Sequence, residues 1–249
     1  MTVTDDVIAR TRHLTARRLT AVGAVIAALM LTAAVAIFIS RGRSTPARPA
    51  PPVPQLAPSA AGDAAASEPL GVLRWALVAG IAIPTSTRCG PFDTSAGLAR
   101  GFSHDRGGAV LAAVHVVVRV APQVGADIFN PTLGTQVTGP DAEALRSRVA
   151  QEYEDLRELS SVRYGQPVGD LQATLRGYRI HAYTSTEATV ELLTASNGDT
   201  GRVIFAASTV RMSWTGSDWV LIAPAGGSFD SVVSTAVDAS GFDPFPGRR

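Results

Sequence analysis

Tyr178-Arg179-Ile180-His181-Ala182-Tyr183-Thr184 is where the chain changes character, because a hydrophobic period of 3.6 gives way to a period of two. In an extended strand successive side chains leave opposite faces. Tyr178, Ile180 and Ala182 are therefore expected on one face, and Arg179, His181 and Tyr183 on the other. Two more strands are predicted downstream, Ala188–Ala195 and Arg202–Trp214, joined through Asn197-Gly198, a dipeptide that favours the positive φ of a tight hairpin turn. Thr215-Gly-Ser-Asp218 then turns the chain into a further strand, Trp219–Ala223.

Upstream the pattern is helical. The clearest helix runs from Pro140 to about Leu159, with Thr138 or Gly139 as its cap and Asp141 and Glu143 in a first turn that favours acids. Ala142, Leu145, Val149, Tyr153, Leu156 and Leu159 follow the i+3/i+4 spacing of one buried stripe, and Arg148 and Glu152 can pair outside it. A second helix is predicted from an N-cap at Ser103 to about Ala121, with Asp105 in its first turn. Its second half, Val114-His-Val-Val-Val-Arg-Val120, reads as strand on propensity alone. The continuous apolar character from Ala109 to Val118, broken only by His115, suits instead a helix buried on most of its circumference. A third short helical turn is expected within Ile128–Val137.

Residues 71–84 are apolar but carry Arg74, and the uncharged part from Trp75 to Ile83 is too short to cross a bilayer; it reads as the extended opening segment of the domain. Before it, residues 41–70 hold seven of the 16 prolines with Ala, Ser and Gly, the composition of a disordered, extended linker. From Leu19 to Ile39 there are 21 residues without a charge, which at a helical rise of about 1.5 Å per residue span about 30 Å, the thickness of a hydrocarbon core. A secretory signal peptide competes, since Ala34-Val35-Ala36 resembles a cleavage site, but the apolar run is longer than such signals need. Arg10, Arg12, Arg17 and Arg18 precede the run, and Arg41, Arg43 and Arg48 follow it. That small excess sets the N-terminus in the cytoplasm and the C-terminal domain outside. The expected layout is a cytoplasmic tail at 1–18, a single-pass transmembrane helix at 19–40, a linker at 41–70 and an extracytoplasmic domain at 71–249.

Composition bounds the chemistry. The net charge is +1 and no basic stripe interleaves with aromatics, so direct nucleic-acid binding is not expected. All 22 basic residues are Arg, which fits GC-rich coding more simply than anion recognition. Cys89 is the only cysteine: it excludes an intrachain disulfide and a cysteine zinc cluster, and burial is its simplest role.

Helices followed by an antiparallel meander predict an α+β fold, with N-terminal helices packed on one face of a curved antiparallel sheet. This order resembles the nuclear transport factor 2-like (cystatin-like) cone, with Val210-Arg-Met-Ser-Trp214 and Asp218-Trp219-Val-Leu-Ile222 as its closing strands. In detail, Gly101-Phe-Ser-His, Gly108-Ala-Val-Leu-Ala-Ala113, Asn130-Pro-Thr, Gln136-Val-Thr-Gly-Pro-Asp141, Ala182-Tyr-Thr184 and Gly241-Phe-Asp-Pro-Phe-Pro-Gly247 resemble actinobacterial membrane proteins of conjugative elements. Those proteins are similar in layout to inner-membrane assembly factors of type IV secretion systems. The resemblance implies a scaffold working through protein contacts, with the bilayer, other transfer-apparatus proteins and further copies of itself as partners.

Two other classes fit the same layout: an accessory protein of lipid or sterol import, and a tethered isomerase or dehydratase. For the enzyme, His181 and Tyr183 on one strand face with Asp155 on a covering helix are the candidate acid–base group. The simpler reading makes Arg179, His181 and Tyr183 a solvated or interface face. His115 and Arg119, four apart on the first predicted helix, are a candidate anion site that more simply marks the polar edge of a buried helix. No catalytic, cofactor or metal set has a recognisable spacing, so an enzyme is not expected, and no cofactor.

Overall fold

The computed structural model describes residues 70–198 and 201–245. The expected tail, membrane span and all but the last residue of the linker lie outside the described residues. Leu70, the last residue of the expected linker, is buried, and its carbonyl accepts a hydrogen bond from the Ser86 hydroxyl.

Strands β1 (Leu73–Val78) and β2 (Ile81–Ser86) form an antiparallel hairpin. Helices α1 (Arg106–Arg119), α2 (Ala126–Thr135) and α3 (Ala142–Ser160) follow, with the two-residue strand β3 (Val137–Thr138) between α2 and α3. Then come β4 (Thr174–Tyr183), β5 (Glu187–Asn197), β6 (Val203–Trp214), β7 (Trp219–Ile222), β8 (Val233–Ala236) and β9 (Asp243–Pro244). The large sheet runs β3-β7-β6-β5-β4-β9, and β8 joins the same edge of β6 as β7, further along the strand.

Helix α1 is the centrepiece. Asp105 caps it, its carboxylate accepting from the Gly108 amide at 2.8 Å and from the Ser103 hydroxyl at 2.7 Å; Ser103, expected as the cap, supports it from outside. Every residue from Gly107 to Val116 is buried, so the β-branched run of its second half is helical because tertiary burial outweighs local propensity. One face packs on the inner side of the sheet, against Val190, Leu192, Val210, Met212, Trp219 and Leu221. Close approach is required at its start, where a Cβ on Gly108 would lie 1.9 Å from the Ser103 carbonyl oxygen.

Helix α3 carries its expected stripe, with Leu145, Val149, Tyr153 and Leu156 buried, while Leu159 is half exposed. Asp141 rather than Thr138 or Gly139 precedes its first turn.

The expected fold, N-terminal helices on a curved antiparallel cone behind a membrane helix, is corrected on several points. The sheet is mixed, because β3 runs parallel to β7, with the Leu221 amide donating to Gln136 and the Ala223 amide to Thr138. Residues 71–84 are a hairpin, not one extended segment, and they precede the helices. Two further strands, β8 and β9, follow the meander. Among the described residues no helix is long and apolar enough to cross a membrane. The result is a mixed α+β domain with one large sheet and three α-helices among the described residues.

Both errors of detail have local causes. The β1–β2 turn is Ala79-Gly80 with φ of 44° and 79°, a tight turn whose first position usually carries Asn or Asp, so nothing announces it. A two-residue parallel pair is too short to leave a period in the sequence.

Candidate functional site

The acid–base group expected on β4 does not assemble. A bulge between Ile180 and Ala182 shifts the register, so Tyr183 points inward with Tyr178 and Ile180, and Ala182 turns outward. His181 and Arg179 stay on the outer face, where Glu191 bridges them: its Oε2 lies 3.0 Å from His181 Nε2 and 3.2 Å from an Arg179 nitrogen. Arg179 also donates to the carbonyls of Gly241 and Ser240 and lies over the Phe242 ring, so its work is to fasten the C-terminal segment to the sheet. Asp155 is exposed on α3 and accepts from Gln151, four residues earlier.

His115 and Arg119 do meet, but as part of the core. His115 is 1% exposed and Arg119 7%. The ring Nε2 donates to the Pro84 carbonyl at 2.8 Å, which fixes the tautomer and leaves Nδ1 to accept from Arg119 at 2.8 Å. Burial, then the neighbouring guanidinium, push His115 down to about 3, and burial holds Arg119 down at about 10. The pair is part of the buried core.

Two other places have the character of sites. The first is an aromatic rim at the end of the sheet where α1 begins. His104 stacks flat on Trp214, with ring centres 4.0 Å apart and an interplanar angle of 7°, and its Nε2 bonds the Ser185 carbonyl. Trp219 lies beneath, fully buried, its indole N–H donating to the Ser103 carbonyl at 3.0 Å. Tyr183 packs on Trp219, and the Arg106 guanidinium stands 5.5 Å over the Tyr183 ring. Asp218 locks the rim, since its carboxylate accepts from the amides of Gly101, Phe102 and Trp219. His104 and Arg106 are exposed and Trp214 and Tyr183 half-buried, so the assembly is rigid yet presents rings and a guanidinium outward.

The second is a partly open cavity of about 100 Å³ between α1, α3, β2 and the inner face of the sheet. Ile83, Val114, Val149, Leu175 and Leu192 form its walls. Gln123, in the short turn between α1 and α2, also faces it, 1% exposed, and neither its carboxamide oxygen nor its nitrogen has a hydrogen-bond partner. Arg148 and Glu152, expected as a pair outside the buried stripe of α3, stand at the cavity's edge. Burial raises the Glu152 carboxyl above its ordinary value, partly offset by Arg148.

Cys89 is buried near Ser86 and Ser103, and burial raises its thiol. Among the described residues no three His, Cys, Asp or Glu side chains gather as a metal site.

The rim is partly legible in the sequence: Gly101-Phe-Ser-His, Ala182-Tyr-Thr184, Trp214 and Asp218-Trp219 each stand out, though as separate segments. Gln123 carried no signal at all, because a lone Gln after a helix is unremarkable until its burial is known.

The chain belongs to the DUF8175 family, a domain of unknown function, which matches residues 39–244. No curated protein and no solved structure matches it.

Proposed function

We propose that the chain is a membrane-anchored scaffold that works through protein–protein contacts at the aromatic rim, as a component of a conjugative transfer apparatus. The observation that carries this reading is the rim itself. Trp, Tyr and Arg are the residues over-represented where binding energy concentrates, and the rim holds them in fixed orientation so that little side-chain entropy is lost on docking. The Asp218 clamp and the buried Trp219 beneath supply that rigidity. The uncharged run Leu19–Ile39 supports a membrane location with the domain outside, and the resemblance to conjugative-element proteins supports the setting. The sequence segments behind that resemblance, Gly101-Phe-Ser-His and Ala182-Tyr-Thr184, both contribute to the rim. His181, Tyr183 and Asp155 are apart in the fold, so contact rather than acid–base chemistry is the economical reading.

The test is photo-crosslinking in intact cells with benzoylphenylalanine introduced at Arg106. The expected product joins the chain to another membrane protein encoded with the transfer apparatus, and Trp214→Ala removes it. Recovery of monomer alone, or a crosslink that Trp214→Ala leaves unchanged, would overturn the reading.

A further inference from the structure

We infer that the cavity is a binding site for a small apolar ligand carrying one uncharged hydrogen-bonding group, a hydroxyl or an amide, which Gln123 receives. The walls are aliphatic, and a void of about 100 Å³ is several times the roughly 10–15 Å³ that one water requires. The cavity is partly open to solvent on the side of Arg148 and Phe229, so a ligand has a way in, and its apolar lining gains contacts on every atom that a ligand covers. Gln123 indicates what the ligand must carry. A carboxamide is costly to bury unpaired, and neither of its polar atoms has a hydrogen-bond partner, although the hydroxyl residues Thr194 and Ser208 line the same cavity. A ligand hydroxyl both gives and accepts a hydrogen bond, as does an amide, so either satisfies the oxygen and the nitrogen together. A charged head would have to enter the same apolar space without a counter-ion, because the nearest charges, Arg148 and Glu152, stand at the edge. Ligand binding of this kind is independent of the rim at the far end of α1.

The experiment uses the full chain in phospholipid nanodiscs, with empty nanodiscs as reference, and two probes of nearly equal size: 4-fluorobenzyl alcohol and 4-fluorotoluene. Fluorine NMR titration reads saturable binding of each. The alcohol is expected to bind about tenfold more tightly than the toluene. Gln123→Leu should abolish that preference while keeping toluene binding, and Val149→Trp should abolish both by filling the void. Val117→Phe, at the half-buried cavity edge, takes its place if Val149→Trp fails to fold by circular dichroism. Absence of saturable binding, equal affinity for the two probes in the unaltered chain, or a preference that survives Gln123→Leu would each overturn the inference.

Discussion

The His115 ring accepts a hydrogen bond from the Arg119 guanidinium while donating another to Pro84, so a buried cation is held against an imidazole that must stay neutral. A proton on His115 would cost the Arg119 bond and place two positive charges side by side in the core. The folded pKa of about 3 therefore lies below the unfolded value of about 6.5. For a depressed pKa the unfolded chain binds more protons between the two values, so the contribution is fully present above pH 6.5 and lost as pH falls towards 3. Between pH 6.5 and 5 the loss from this residue should be about 1.5 kcal/mol. Urea unfolding at the two pH values measures it. His115→Gln, which keeps a donor for Pro84, should flatten the slope; an unchanged slope would assign the pH dependence to other groups.

Gln123→Leu should raise stability by about 1 kcal/mol in the absence of ligand, since it removes a buried polar group that has no partner and adds apolar contact. A shift in the urea midpoint at constant slope is the expected signature. A fall in stability would show that the carboxamide is satisfied in solution.

Two glycines should respond in opposite directions. Gly108→Ala sets a methyl against the Ser103 backbone at the start of α1 and should cost about 3 kcal/mol, because neither the cap nor the rim can yield without the other. Gly134, on the exposed side of α2, has open space around it and ordinary helical geometry, so Gly134→Ala should gain about 0.5–1 kcal/mol. Thermal melts of the two variants against the parent check both signs.

Asp218→Ala should cost about 2 kcal/mol by stranding the amides of Gly101, Phe102 and Trp219, and should loosen the His104–Trp214 stack. Tryptophan emission would shift to the red as Trp214 gains water. A lower melting temperature with unchanged emission would separate the clamp from the rim.

What could be read beforehand follows from how far each signal reaches along the chain. Helix α3 was legible from one buried stripe, and the β5–β6 hairpin from the alternation of its strands. Asn197 itself pairs with Val203 at the end of β5, so the connection runs over residues 198–202 rather than through a tight Asn-Gly turn. The strand β4 was legible too, but its facing was not. The bulge before Ala182 is fixed by pairing with Thr189 and Val190, and it moved Tyr183 to the opposite side from His181. That single slip dissolved the candidate acid–base group. The Asp218 clamp joins residues up to 117 apart, and the cavity brings Ile81 together with Val233, beyond the reach of any local pattern.

Helix α1 has a consequence for how the protein is made. It leaves the ribosome apolar on nearly every side, yet its floor on the sheet is supplied by β5, β6 and β7, some seventy to a hundred residues later. Neither α2 nor α3 can substitute, because the parallel strand between them finds its partner only at Leu221 and Ile222. Until synthesis is nearly complete, the chain must carry an unshielded greasy helix, and long-range pairing of this kind closes slowly. A chain truncated before β7 should therefore expose the sheet-facing side of α1 and aggregate rather than fold to a smaller unit, which light scattering of such truncations would show.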